Sequence, residues 1–294
     1  MKPERVLVFD KGGRSERIAL LQEGRVPRDF LYGTDRLIKQ GFDIKRLSSR
    51  VTYGGGLLNK LIHLKEQLLS RLTHLGLRAH VIKHYQYFFA NSNVVISFTD
   101  GFSLTLGSYF RGIPKNKAPF LIGCFHGLSD LEFKTPRFMR WYTKSVINRS
   151  LNRLDHLAFF GPADRDYAID RFSIDKNSTS VIRFGVDIEF WRPRESSAAD
   201  YFFAIGQDTN RDFKTLVSAA VDMPIRIHTP LTLKIPEEKN NVTLTEGSYQ
   251  KIGLTDEDLK LLYQNSIAVV VPLKDVNQPT GYSVTLQAMA CGKP

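Results

Sequence analysis

Two kinds of hydrophobic pattern alternate along the chain: short β-branched runs, and longer segments in which apolar residues recur every three or four positions. The first run, RVLVFD at 5–10, is followed directly by a glycine pair. In the first part of the chain the pattern predicts strands at 5–10, 42–48, 93–100, 118–126, 156–161 and 180–185, and helices at 34–40, 57–76, 103–113, 137–155 and 162–172.

The segment GVDIEFWRPRESSAAD (185–200) breaks this pattern with prolines and small polar residues, and the alternation then restarts. After it we predict strands at 201–206, 225–229, 241–246 and 267–273, and helices at 211–221, at 255–266 and from about Ser283. Strands that alternate with helices predict a parallel sheet covered on both faces. The chain is therefore expected to be an α/β protein with two consecutive doubly wound, Rossmann-like domains.

The domain boundaries follow from the same break in the pattern. At 294 residues the chain exceeds the length at which one hydrophobic core usually keeps growing. We predict an N-terminal domain at 1–188, a linker at 189–200 and a C-terminal domain at 201–294. Because the second domain has barely 100 residues and ends just after a helix, we expect it to be incomplete at its C-terminus.

Composition excludes several classes of protein. Hydrophobic residues make up 42% of the chain and charged residues 24%, which is ordinary for a globular protein and argues against disorder. No stretch has the roughly 20 apolar residues of a membrane span, and the start reads as a strand rather than a signal peptide, so we expect a cytoplasmic protein. Cys124 and Cys291 are too few for a disulfide framework or a four-cysteine zinc site, and are interpreted as core or loop residues.

The positive charge is concentrated in the first two thirds of the chain. Residues 1–194 contain 32 Lys and Arg against 18 Asp and Glu, a net +14, whereas residues 195–294 carry a net −3. Such a field attracts anionic phospholipid, nucleic acid or a phosphorylated acceptor, and it also suits a merely soluble basic surface. Both interpretations stay open.

A basic amphipathic helix is predicted at 57–76. Leucines and one isoleucine recur there at three- and four-residue intervals, and Lys60, Lys65, Glu66 and Arg71 occupy the remaining arc. A helix of this kind can lie in the interface of an anionic membrane. The alternative is a crossover helix packed on the sheet.

Two features of the second half indicate an anion site. Gly281 and Ser283 stand where an apolar helix starts after a buried strand, and free backbone N–H groups there bind phosphate, although an ordinary helix start looks the same. Arg211 and Lys214 stand at the start of another helix, where cations oppose the helix dipole, which suggests an external anion. The alternative is a salt bridge of either cation with Asp208 or Asp212.

Three passages, in this order, resemble the family 4 glycosyltransferases, which are retaining enzymes of the GT-B type. They are VIRFGVDIEFWRP (181–193), AIGQDTNRDFKTLVSAA (204–220) and VVVPLKDVNQPTGYSVTLQAMACGKP (269–294). The resemblance implies a GT-B fold in which two domains face each other across a cleft, the first binding the acceptor and the second the nucleotide sugar. Residues before Val181 resemble the family only in architecture.

The resemblance, added to the anion-site argument, assigns residues to roles. A histidine at the end of a strand, His126, is expected to face the donor sugar, although a lone histidine is more often structural. We expect catalytic roles for His126, Arg211 and Lys214, and donor contacts from Gly12, Gly13, Gly206, Asn277, Gln278, Gly281, Tyr282, Ser283, Val284, Thr285 and Gln287.

The chain departs from the family pattern at three positions. The family typically has two glutamates with seven residues between them, and here Gln287 occupies the second position and Pro279 the first. An arginine often follows the strand glycine, and here Gln207 stands there. Glutamine can still hydrogen-bond ribose hydroxyls. The departures leave a divergent donor preference or reduced activity open.

Two acidic pairs, at 164/166 and 256/258, lie at predicted helix starts, where carboxylates offset the dipole, so no metal site is expected. We predict metal-independent transfer of a sugar, with retention of configuration, from a nucleoside-diphosphate sugar as co-substrate to a saccharide or lipid-linked acceptor. No other cofactor is expected. The setting implied is cell-envelope polysaccharide synthesis in the cytoplasm, with peripheral contact at the inner face of an anionic membrane.

Two other functions stay open. One is a nucleotide-sugar-binding protein with weak or no turnover, which the residues at 279 and 287 favour. The other is a nucleic-acid-binding protein, suggested only by the basic charge, because the chain shows no recognised motif or aromatic stacking platform for it. Nucleic acid is not expected as a partner.

Overall fold

The computed structural model describes residues 4–10, 14–51, 57–194, 200–220, 222–246 and 254–294. The chain divides into two compact units. Unit 1 comprises Met1–Glu16, Leu31–Arg183 and Asn277–Pro279, and unit 2 comprises Arg17–Phe30, Phe184–Val276 and Thr280–Pro294.

Alternating strands and helices form the first part of the chain, as the hydrophobic pattern predicts. The strands are β1 (Arg5–Asp10), β2 (Asp43–Ser48), β3 (Val94–Ser97), β4 (Phe120–Phe125), β5 (His156–Phe159) and β6 (Thr179–Val181). The helices are α1 (Arg14–Gln22), α2 (Thr34–Lys39), α3 (Leu57–Thr73), α4 (Ala79–His84), α5 (Gln86–Phe89), α6 (Asp100–Tyr109), α7 (Leu128–Lys134), α8 (Arg140–Leu151) and α9 (Pro162–Phe172), with 3-10 turns at Arg28–Leu31, Lys115–Lys117, Arg137–Met139 and Lys176–Ser178.

The sheet of unit 1 is parallel throughout and has the order β2-β1-β3-β4-β5-β6. Its central strands are buried on both faces because helices cover both sides, which explains their continuous apolar runs. Strand addition changes direction between β1 and β3. The carboxyl ends of these strands therefore mark a topological switch point, where open α/β sheets place ligands.

Helix α6 packs closely against its neighbours because two of its positions are glycine. A Cβ added at Gly107 would lie 2.2 Å from the carbonyl oxygen of Ser150 in α8, and one at Gly101 would lie 2.2 Å from the carbonyl oxygen of Gly76. Both separations are shorter than any real contact. The backbones of α6 and α8 thus approach each other at a distance that excludes a side chain.

Unit 2 contains a parallel sheet of order β7-β8-β9. Its strands and helices are β7 (Phe202–Ile205), β8 (Ile225–Thr229), β9 (Val242–Glu246), α10 (Phe213–Ala219), α11 (Asp256–Gln264) and α12 (Tyr282–Ala290). Trp191, Phe203 and Tyr263 are buried together in its core. Part of the predicted linker at 189–200 thus belongs to unit 2, since Phe190 and Trp191 are buried there.

Three details of the predicted elements were wrong. The apolar run at 267–273 forms an isolated parallel bridge to β7, between Val269 and Phe203, rather than a full strand. The helix predicted at 137–155 is a 3-10 turn followed by α8, and α1, α4, α5 and α7 were not predicted. Short helices of four to seven residues carry too few periodic positions to stand out from the sequence. Among the described residues, no helix is both long and apolar enough to span a bilayer.

Candidate functional site

Strand β7 lies at a switch point of the sheet in unit 2. Strands β8 and β9 follow on one side of it. On the other side, the segment 267–271 runs parallel to β7, with the amide of Ile267 donating to the carbonyl of Tyr201 at 2.8 Å. The crevice beyond the carboxyl ends of two such neighbours is where ligands of open α/β sheets bind. Two loops of unit 2 border it, residues 206–212 and the unit 2 part of 272–281, which is 272–276 and 280–281.

Hydrogen bonds hold these two loops together. The amide of Lys274 donates to the carbonyl of Asn210 at 2.9 Å. The hydroxyl of Thr280 donates to Oδ1 of Asp208 at 3.0 Å. The loops are therefore one structured region, although some 65 residues separate them in the sequence.

The second loop delivers the chain into α12 through Gly281. This residue has φ 83°, a left-handed conformation that favours glycine, and the helix has no side-chain cap among the described residues. Backbone N–H groups in the first turn of a helix have no partner within the helix. The start of α12 therefore offers donors and the positive end of a helix dipole to an anion.

Arg211 lies directly beside this helix start. Its side chain is 4% exposed, and its Nε is 3.2 Å from Oδ2 of Asp208. A Cβ added at Gly281 would lie 3.1 Å from Nη1 of Arg211, and one at Gly206 would lie 2.2 Å from its Nε. Both glycines thus leave room that the guanidinium occupies.

The Arg211 guanidinium is incompletely paired. Its Nε lies within ion-pair distance of Asp208 but makes no hydrogen bond to it, and among the described residues neither Nε nor Nη1 has a hydrogen-bond partner, although both are buried. Burial lowers the pKa of Arg211 and the charge of Asp208 raises it, but a guanidinium stays charged at neutral pH. A buried charge with unused donors is costly unless an anion binds to it. The structure thus brings Arg211 and Gly281 together, as the anion-site prediction requires, and it also places Arg211 in the salt bridge with Asp208 that was the alternative.

Lys214 lies apart from this arrangement. It is exposed in the first turn of α10. Hydrogen bonds from Thr215 lower the pKa of the Asp212 carboxyl most, and the charge of Lys214 lowers it further. Among the described residues Lys214 forms no ion pair within 4 Å with either Asp208 or Asp212, and its catalytic role stays a prediction.

Gln287, on α12, is engaged at both ends of its amide. Its Oε1 accepts from the hydroxyl of Tyr263 at 3.2 Å, and its Nε2 donates to Oδ2 of Asp29 at 3.2 Å. The same carboxylate oxygen accepts from the indole of Trp191 at 2.8 Å. The Gln287 amide, which the sequence analysis expected to bind ribose hydroxyls, is here hydrogen-bonded to Tyr263 and Asp29 inside unit 2.

Sequence reasoning missed Asp29. Burial raises the pKa of its carboxyl, against hydrogen bonds from Trp191 and Gln287 that lower it. Its Oδ1 accepts the amide of Asp187 at 2.5 Å, and Asp187 in turn pairs with Arg28 at 3.1 Å. No motif surrounds residue 29, so only its position beside α12 reveals the acidic group.

The other predicted donor contacts fall into two groups. In unit 2, Gly206 and Val284 are buried, Ser283 is partly buried, and Tyr282 and Thr285 are exposed along the start of α12. Residues 277–279 belong to unit 1, where a Cβ added at Gly127 would lie 2.6 Å from Cδ of Gln278. Pro279 packs in the same way on Gly161, while Asn277 is exposed.

His126 follows β4 at the carboxyl edge of the sheet in unit 1. Its Nε2 is 2.8 Å from the carbonyl of Phe98, and since a carbonyl only accepts, this nitrogen carries the proton. The ring stacks on Phe160 at 4.3 Å and meets Tyr32 edge-on at 5.9 Å. In the neutral form Nδ1 is then the acceptor of the ring. The other predicted residues of this edge, Gly12 and Gly13, lie outside the described residues.

The two acidic pairs have structural partners. Asp164 is buried and accepts the amide of Ser129 at 2.7 Å. Asp258 forms a capping box with Thr255 at the start of α11. One other group, His63, Glu66 and His80, has ligand atoms within 4.8 Å of one another, and there Glu66 pairs with His80 at 2.5 Å, joining α3 to α4. The expected absence of a metal in the mechanism stays a prediction.

No protein-family model matches the chain, and no curated protein matches it. Solved structures do. The chain is similar to sucrose-phosphate synthase from Thermosynechococcus elongatus, with a TM-score of 0.63 and 15% identity over 99% of this chain and 80% of that one. It is also similar to a glycosyltransferase from Rickettsia africae (TM-score 0.55, 13% identity, 100% and 78% covered) and to Anabaena HepE in complex with UDP-glucose (0.56, 14%, 99% and 79%).

These likenesses, at low identity, establish the fold. The chain has the GT-B glycosyltransferase fold, and the predicted α/β fold class is confirmed.

Proposed function

We propose that this protein is a glycosyltransferase that moves a sugar from a nucleoside-diphosphate sugar to an acceptor. The observation that carries the proposal is the buried Arg211 guanidinium, with unused donors, beside the uncapped start of α12 at a switch point of a GT-B fold. Anabaena HepE, which shares the fold, was solved with UDP and with UDP-glucose. A diphosphate would supply the negative charge that the Arg211 guanidinium and the start of α12 favour.

The same groups suit the chemical step. When the bond between the sugar and the diphosphate breaks, negative charge develops on the leaving phosphate oxygen. Arg211 supplies N–H donors to that charge, and the first turn of α12 supplies backbone N–H groups that are already oriented. Because both are positioned by packing before the substrate arrives, they stabilise the charge without reorganising.

The finer parts of the proposal rest on the resemblance to family 4. They are retention of configuration, independence of a metal, donor contacts from Ser283 and its neighbours, and a role for His126 at the sugar. The net +14 charge of residues 1–194 supports a saccharide acceptor that carries a lipid phosphate, met at the inner face of a membrane.

Calorimetric titration with UDP, GDP and inorganic pyrophosphate tests the site. Arg211→Ala should weaken binding of the best of these ligands about tenfold to a hundredfold, since a hydrogen bond to a charged group contributes about 1.5–3 kcal/mol. Arg211→Lys should give an intermediate loss, because lysine keeps the charge but not the planar fork.

Arg226→Ala is the matched control. This cation of unit 2 is exposed and lies 3.9 Å from the Tyr201 ring, away from the Arg211 loops, so its removal should leave affinity unchanged. Circular dichroism checks that each variant folds. Wild-type affinity in folded Arg211→Ala would remove the diphosphate from this site.

A second candidate is a nucleotide-sugar-binding protein without turnover. It is favoured by Gln287, whose amide is engaged with Asp29 and Tyr263. A donor screen with mass-spectrometric detection separates the two functions. Transfer or hydrolysis of any donor supports the enzyme, whereas calorimetric binding of a donor that is neither transferred nor hydrolysed supports the binding protein.

A further inference from the structure

Three large aromatic side chains protrude from unit 1 within nine residues of sequence. Phe133 at the end of α7 is 61% exposed, and Phe138 and Trp141 are each 72% exposed. Side chains of this size are usually buried, since burying one stabilises a protein by about 1.5–3 kcal/mol or more. Large aromatic side chains exposed this close together in sequence point to a surface that binds something apolar.

Helix α3, which contacts α7, also exposes aliphatic side chains. Leu61, Leu64 and Leu68 are 55%, 62% and 58% exposed, and their three- and four-residue spacing places them on one face of the helix. Helix α7 packs against both α3 and α8. The hydroxyl of Thr135, just after α7, donates to the carbonyl of Thr73 at the end of α3 at 3.0 Å. The crossover-helix interpretation of α3 therefore leaves these three leucines unexplained.

The same region is strongly basic. Between Phe133 and Arg149 the chain has five Lys and Arg and no Asp or Glu, and Lys65 and Arg71 lie on α3. Arg137 is exposed, and the Arg140 guanidinium lies 5.9 Å from the Phe133 ring. The nearby carboxylates are engaged, Glu132 with Arg171 and Asp130 with Lys134.

We propose that these residues form a membrane-binding surface that docks on an anionic phospholipid bilayer. The apolar–basic surface comprises Leu61, Leu64, Leu68, Phe133, Phe138 and Trp141 with Arg137, Arg140 and Lys144. Aromatic and leucine side chains insert at the boundary between headgroups and acyl chains, while Lys and Arg bind anionic headgroups.

The charge pattern favours a bilayer over other occupants. A symmetric dimer would place this basic region against itself, and like charges across an interface are unfavourable. Nucleic acid would pair with the cations but leave the leucine face of α3 in water. An anionic bilayer satisfies both, because it offers negative headgroups above an apolar interior.

The chain carries its own reporter for this interaction. It has two tryptophans, and they differ completely in environment: Trp191 is 1% exposed and Trp141 is 72% exposed. A blue shift of tryptophan emission on adding vesicles therefore reports transfer of Trp141 from water. The surface uses no residue of the Arg211 site, and vesicle binding needs no nucleotide, so the membrane part of the proposed function can fail while the transferase part stands.

The experiment is co-sedimentation and fluorescence with vesicles of phosphatidylcholine alone or with about a third phosphatidylglycerol. We expect binding to the anionic vesicles, with a blue shift, and weak binding to the neutral ones. The double variants Phe138→Ser/Trp141→Ser and Arg137→Gln/Lys144→Gln should each weaken binding about tenfold or more, the second with an attenuated salt dependence. Tyr87→Ser and Lys117→Gln are the controls, since both are exposed residues of unit 1 outside the surface, and they should bind as wild type.

Four results would overturn the proposal: no binding to anionic vesicles, binding without a blue shift, binding that both double variants retain, or equal losses in the two control variants. Dimerisation in the absence of lipid that Phe138→Ser/Trp141→Ser abolishes, with no vesicle binding, would assign the surface to a second copy. A gel shift of nucleic acid that Arg137→Gln/Lys144→Gln abolishes, again without vesicle binding, would assign it to nucleic acid.

Discussion

Burial of the Arg211 guanidinium beside one carboxylate costs free energy that an anionic ligand would recover. Asp208, which is itself about a third exposed, offsets part of that cost. The residue is tolerated because Gly206 and Gly281 leave space around it. Its chemistry thus depends on two neighbours with no side chain.

Gly206→Ala tests this dependence without removing the charge. The new Cβ would lie 2.2 Å from Nε of Arg211, so the guanidinium must move. We expect nucleotide affinity to fall about as far as in Arg211→Ala, with a loss of stability of about 1–3 kcal/mol from overpacking.

Calorimetry and urea denaturation measure the two effects. Gly185→Ala is the control, since nothing lies within 4 Å of a Cβ at that position of unit 2. Full affinity in Gly206→Ala would show that the guanidinium does not need its observed position.

The two cysteines should be chemically silent in the folded protein. Burial raises the pKa of the Cys124 thiol to about 12 and that of Cys291 to about 11, and each side chain is 1% exposed. Because the thiolate is the reactive form, neither should react with a thiol reagent at pH 8 within minutes, and both should react in urea. Rapid labelling of one thiol in the native protein would contradict this.

Among the elements, close helix packing places the strictest demands on sequence. The contact between α6 and α8 requires the absence of a side chain at Gly107. By contrast, α12 needs a glycine at its start for conformational reasons, because Gly281 is left-handed. The same residue type thus serves two purposes that sequence inspection does not separate.

Gly107→Ala should destabilise unit 1 strongly. A Cβ there would lie 2.2 Å from the carbonyl oxygen of Ser150, and backbone cannot move aside as a side chain can. We expect a loss of about 2–3 kcal/mol or more in the free energy of unfolding, measured by urea denaturation.

Gly112→Ala provides the comparison. A Cβ at Gly112 meets nothing within 4 Å, so its effect should be within about 0.5 kcal/mol. Equal stability of the two variants would mean that α6 and α8 can separate freely.

At the scale of the whole molecule, the positive charge is unevenly distributed along the chain. The basic residues of 1–194 include the apolar–basic surface, whereas residues 195–294 carry a net −3 and hold Arg211 as a buried cation. A uniform basic surface would attract any polyanion. A basic surface with exposed aromatic side chains on one unit, and the buried Arg211 guanidinium on the other, favour two different anions.

The free energy of unfolding at acidic pH should depend on the ion pair between Arg28 and Asp187. Burial raises the pKa of Asp187, but hydrogen bonds from Arg28 outweigh it and the pKa is lowered from 3.8. A lowered folded-state pKa contributes stability above the unfolded pKa and loses it as the pH falls through the folded value. Arg28→Ala should therefore be about 1 kcal/mol less stable than wild type at pH 7, and the difference should shrink below about pH 3.8.

Urea denaturation at several pH values measures this difference. Arg25→Ala is the control, because its partner Glu23 and Arg25 itself are 56% exposed and an exposed pair contributes little. A difference between wild type and Arg28→Ala that stays constant down to pH 2.5 would rule out the ion pair as its source.

The part of the fold that could be predicted from the sequence is the part that local hydrophobic periodicity determines. Strands such as β1 and β4 are continuous apolar runs because both faces of a parallel sheet are covered, and that signal needs no knowledge of the partner strand. The short helices α4 and α5 escaped prediction because four to six residues do not complete two turns. The segment 267–271 has the apolar run of a strand, but pairing with β7 decides how much of it is regular.

In the candidate site, too, some features follow from local sequence and others only from long-range contacts. A glycine before an apolar helix and an arginine at the start of a predicted helix are local signals, so Gly281 and Arg211 could be predicted as candidates. Their contact depends on two loops meeting at a switch point, and the engagement of Gln287 depends on Asp29, which is 258 residues away in sequence. Periodicity and residue type therefore determine the elements and the candidates, because they act over a few residues. Which candidates meet, and which leucines of α3 stay in water, follows from long-range packing alone.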